Sequence, residues 1–89
     1  MARLRVRVQG RSSDYWRYTL SSWLREVKEI LEQEYNVSLE IVEEDVDIDT
    51  PRILVENEIV LEGVPGEEGY LIEALKKALN EALKETAHQ

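Results

Sequence analysis

Residues 3–9 alternate, with Leu4, Val6 and Val8 on one side and Arg3, Arg5 and Arg7 on the other. A period of two over that length predicts a half-buried strand. Gly10-Arg11-Ser12-Ser13-Asp14 breaks the alternation. Ser13 or Asp14 is placed to cap a helix by accepting a bond from a free backbone N–H. From Tyr15 to Tyr35 the apolar positions Trp16, Leu20, Trp23, Leu24, Val27, Ile30 and Leu31 recur at helical spacing, and Arg25, Glu26, Lys28, Glu29 and Glu32 take the wet side. Asn36 suits a left-handed exit. Residues 37–43 alternate again, Val37, Leu39 and Ile41 against Ser38, Glu40 and Val42, which predicts a second strand. Two strands joined by such a helix predict a right-handed parallel unit.

The segment 44–50 is acidic and too short to hold a helix. Residues 53–55 and 59–61 are short β-branched runs bounded by turn chemistry, a hairpin signal. If Ile53, Val55, Ile59 and Leu61 all face the core, parity requires an odd loop. The expected turn is therefore three residues, Glu56-Asn57-Glu58, with Asn57 in the left-handed conformation. Pro65-Gly66 stops the hairpin. Leu71, Ile72, Leu75, Ala78, Leu79, Ala82 and Leu83 then predict a second amphipathic helix, fraying over 85–89. The order is βαββα, an α/β chain of the two-layer α+β kind forming one domain over residues 1–89.

Composition narrows the chemistry. A chain of 89 residues that is 43% hydrophobic and 34% charged is globular. Its lack of Cys removes disulfides, thiolate metal sites and thiol catalysis. Neither a membrane-length apolar run nor a basic stretch leading into an apolar one is present, so a cytoplasmic protein without a membrane role is expected. Many Glu, Arg and Val residues with a single Met lean towards a thermophilic source. The net charge of −8 hides an asymmetry: residues 1–25 carry six Arg against Asp14 alone, and the remainder is acidic. The expected reason is internal neutralisation between neighbouring segments, and the acidic balance argues against nucleic acid.

Thr50-Pro51 entering a hairpin, then Gly63-Val64-Pro65 ahead of a helix, resembles the C-terminal half of the thioredoxin-like family. The missing middle helix is most similar to the small archaeal thioredoxin-like proteins and the selenoprotein W-like group. The resemblance implies a four-stranded mixed sheet with both helices on one face, over Leu4, Val6, Val8, Leu39, Ile41, Ile53, Val55, Ile59 and Leu61. It also implies a cis bond at Pro51; a trans bond there, or helices on opposite faces, would sink the thioredoxin-like reading. Where the family carries its Cys-x-x-Cys, this chain has Ser13-Asp14-Tyr15-Trp16, so thiol–disulfide exchange is lost. What it leaves is a groove in which the Thr50 backbone pairs with an extended segment beside Tyr15, Trp16 and Tyr18.

Other chemistry is thinner. Ser13 as a nucleophile lacks a base, because the one His is His88 in the tail. Asp45, Asp47, Asp49 and Glu56 have the spacing of a calcium loop without its turn glycine, so an acidic linker is the expected reading and no cofactor or metal is expected. Arg11, Ser12 and Arg17 surround a helix N-terminus suited to an anion, with Asp14 opposing. Val42, Leu54 and Val60 are apolar positions expected on an otherwise charged sheet face, and so interface candidates. The functional expectation is a non-catalytic interaction module with a protein partner, or with a second copy of itself in a homodimer. The alternative is a binder of nucleic acid or of a phosphorylated ligand through the Arg stripe.

Overall fold

A computed structural model describes residues 2–64 and 66–87. The expected stop at Pro65 and the lone His88 lie outside the described residues. Six elements follow in order: β1 (Ala2–Gly10), α1 (Tyr15–Tyr35), β2 (Val37–Asp45), β3 (Arg52–Val55), β4 (Glu58–Glu62) and α2 (Glu68–Ala87). The strands form one mixed sheet in the order β2-β1-β3-β4. β1 runs parallel to β2 and antiparallel to β3, and β3 runs antiparallel to β4.

α1 packs on β1 and β2, α2 packs on β3 and β4, and the helices touch each other, so both cover the same face. Beneath them Leu4, Val6, Val8, Leu39, Ile53 and Val55 of the sheet meet Leu20, Leu24, Val27 and Leu31 of α1 and Leu71, Leu75 and Leu79 of α2. α1 starts where Asp14, in extended backbone, accepts a bond from the Trp16 amide at 2.9 Å. It ends at Asn36, whose φ of 53° returns the chain into β2. The Glu32 carboxylate accepts from the Leu39 amide at 2.7 Å, occupying a donor on the outer edge of β2 and so blunting that edge.

The structure corrects three expectations. The hairpin turn has two residues, Glu56-Asn57, because Val55 pairs directly with Glu58. Parity is restored by a bulge: Ile53 faces Leu61 and Leu54 faces Ile59, leaving Val60 as the extra residue. Val60 and Leu61 therefore both pack against the helix-covered core, and Ile59, expected in the core, is 47% exposed. Second, the left-handed residue is Glu56 (φ 55°) and not Asn57. Its amide donates to the Arg5 carbonyl and its carboxylate accepts from the Arg5 amide, a two-point clamp on β1 that offsets a conformational cost of about 1–2 kcal/mol. Third, no peptide bond among the described residues is cis, so Thr50–Pro51 is trans.

Candidate functional site

Three residues of α1, Trp16, Thr19 and Trp23, share one helix face by their spacing. They form one wall of a groove of about 630 Å³ at the end of the sheet where both helices begin. Asp49, Thr50 and Pro51 close the opposite side, and Gly63, Val64 and Gly66 form the third. The Pro51 ring is buried and its carbonyl accepts from the Gly63 amide at 2.7 Å, which ties the entry of β3 to the exit of β4. Gly63 sits at φ 81°, a conformation a side chain rarely adopts, with the Thr50 methyl beside it. The Thr50 main-chain N–H and C=O make no hydrogen bond among the described residues. The groove thus joins mainly apolar walls to one unpaired peptide donor and acceptor.

Of the expected groove residues, Trp16, Thr50 and Pro51 come together here. Tyr15 stands outside, 70% exposed, with its ring edge-on to Trp16 at 5.5 Å between centroids. Tyr18 points elsewhere, towards Ser22 and Arg25. Ser13 is exposed on the surface, and Asp14 is committed to the helix cap. Sequence reasoning missed Trp23, Thr19 and Val64. The helical spacing of Trp16, Thr19 and Trp23 was the available signal, but Trp23 also fits the core stripe, and it serves both.

The residues of the anion alternative have intramolecular partners. Arg11 pairs with Asp47 at 2.7 Å and Asp49 at 3.1 Å, and Asp47 is the main reason its guanidinium pKa is raised. The Ser12 amide donates to Asp45, and Arg17 lies over Gly10 with its guanidinium on the Gly10 and Glu44 carbonyls. The same contacts account for the acidic linker. Asp45, Asp47 and Asp49 face Ser12 and Arg11, whereas Glu56 is a strand away on the Arg5 amide.

The uncovered sheet face is a charge ladder. Arg3 and Arg5 reach Glu40 at 3.3 and 3.8 Å, and Arg7 reaches Glu44 at 2.9 Å. Gln9 donates to the same Glu44 oxygen and accepts from Arg52. Gln9 first and Arg7 second hold the Glu44 carboxyl below the ordinary glutamate range. On the helix side Glu43 is lowered likewise, first by the Ser21 hydroxyl and then by Arg25. That hydroxyl is buried and makes no hydrogen bond of strict geometry, so it acts as a nearby dipole. Of the interface candidates, Leu54 lies under the ladder at 7% exposure and Val42 is half-buried beside it. Val60 faces the helices instead, and Ile59 takes the open-face position the bulge vacates.

No helix among the described residues is long and apolar enough to cross a membrane. Compared with protein-family models, with curated proteins and with solved structures, the chain has no match.

Proposed function

We propose that this domain is a non-catalytic interaction module that takes an extended segment of a partner protein into the groove between Thr50-Pro51 and the first turns of α1. One observation carries the reading: an unpaired Thr50 peptide group stands beside walls built from Trp16, Trp23, Pro51 and Val64. A segment laid there gains a main-chain bond for register and an apolar pocket for one side chain, the two components of strand-type peptide recognition. The βαββα order with both helices on one face is in keeping with a thioredoxin-like fold. The trans bond at Pro51 is the outcome that sinks the thioredoxin-like resemblance, so the proposal stands on the groove and not on kinship. Without Cys, thiol exchange has no reacting group.

Two other readings are less well supported. Self-association through the open face has little apolar surface to gain, since Leu54 is already buried in the monomer and only Ile59 projects substantially. Nucleic-acid binding needs cations at liberty, and Arg3, Arg5, Arg7 and Arg11 are all ion-paired.

The test is a titration of labelled protein with a blocked pentapeptide carrying a central Phe, followed by NMR. Shifts confined to the Trp16 and Trp23 indole N–H and the Thr50 amide are expected. Trp16→Ala should abolish them, and Ile30→Ala, an exposed change farther along the same helix, should not. Unmoved signals at millimolar peptide would sink the reading. Sedimentation at low and high salt should give a monomer; a dimer at both would return attention to Leu54 and Ile59.

A further inference from the structure

We infer that the segment taken by this groove carries a basic residue beside its apolar anchor, an inference that rests on the groove reading above. The groove's lip holds acid in excess. Asp47 and Asp49 share one guanidinium, Arg11, at 2.7 and 3.1 Å, so two carboxylates face a single cation and one negative charge is uncompensated. Asp49 lines the groove, and its side chain is 95% exposed, open to a second cation.

One feature opposes this. Both helices begin at this end of the sheet, and helix N-termini attract anions. At α1 that attraction is already answered from within. The Asp14 carboxylate accepts from the Trp16 amide and Asp45 accepts from the Ser12 amide at 2.9 Å. With a net charge of −8 on the chain, an approaching carboxylate is repelled at long range. A lysine or arginine flanking the anchor meets Asp49. The apolar walls select the anchor; the lip selects its neighbour.

Three blocked pentapeptides test this, each with Phe at the centre and flanked by two lysines, two glutamines or two glutamates. Affinities come from the Trp16 and Trp23 indole shifts. At low salt the lysine peptide should bind about threefold tighter than the glutamine peptide and about tenfold tighter than the glutamate peptide, the scale of exposed charge contacts. At ~0.5 M salt the three should converge to within about twofold. Asp49→Asn should remove most of the preference for the lysine peptide over the glutamine peptide. Equal binding of all three at low salt, or a preference for glutamate, overturns the charge inference while the groove reading stands. A lysine preference that survives Asp49→Asn overturns the placement of the cation at Asp49. If no peptide moves the indoles, both readings fall.

Discussion

The two faces of the sheet use the same strands for opposite purposes. On the covered face, Val6, Val8 and Ile53 are fully buried against Leu20, Leu24, Leu71 and Leu75. On the open face, the alternate residues of those strands are Arg3, Arg5, Arg7, Gln9 and Arg52, answered by Glu40 and Glu44. Burying a large aliphatic side chain contributes about 1.5–3 kcal/mol, whereas an exposed ion pair contributes about 0–1 kcal/mol. The covered face should therefore carry the stability. The ladder instead keeps an uncovered sheet wet and discourages stacking, with Leu54 as the apolar side chain sealed beneath it.

The sharpest way to break that contrast is in the core. Leu75→Ala should lower the unfolding free energy by about 2–5 kcal/mol in urea denaturation, a large part of a small domain's total. Next is Leu54→Ala, which should cost about 2 kcal/mol, because its space opens towards Arg7 and water and refills more easily. A cost under about 0.5 kcal/mol would show that the ladder does not shield Leu54 at all.

Acid reads the charges on both sides of β2. The Glu43 and Glu44 carboxyls are depressed in the folded chain, so their stabilisation is complete above the unfolded glutamate pKa of about 4.3 and fades as pH falls through the folded values. The double variant Glu43→Gln/Glu44→Gln should accordingly show a flatter fall in urea midpoint between pH 7 and pH 3 than the parent. An unchanged slope would mean that other carboxylates set the acid limit. The smallest effect is expected at the rim. Arg3→Gln, with its side chain 70% exposed on Glu40, should change stability by less than about 0.5 kcal/mol at any salt concentration.

Most of the architecture was legible because it depends on periodicity. Alternation located β1 and β2, helical spacing located α1 from Tyr15 to Tyr35, Asn36 marked its end, and its start lay open between Ser13 and Asp14 until the structure selected Asp14. The hairpin was legible as a hairpin but not in its register. Parity alone favours an odd turn, and a bulge at Val60 solves the same parity problem with a two-residue turn. Nothing local distinguishes the two solutions. They exchange Ile59 and Val60 between faces, which changes one of the three interface candidates.

The groove was half legible. Thr50, Pro51 and Trp16 were expected together and line one groove, while Trp23 passed for core and Ser13, Asp14 and Tyr15 were grouped with a groove they do not line. Helical spacing assigns a residue to a stripe, but not to the end of that stripe where the neighbouring element stops.

The sequence by itself determined the order of elements, the exit of α1 at Asn36, the exclusion of thiol chemistry and the opposition of an apolar face to a charged one. Each of these follows from side-chain type and local spacing. Tertiary structure alone decided which carboxylate answers which arginine, that Asp47 and Asp49 share Arg11, that Pro51 is trans, and that Trp16, Trp23 and Val64 meet around an unpaired Thr50. These depend on distances between residues far apart in the chain, which packing fixes and periodicity does not encode.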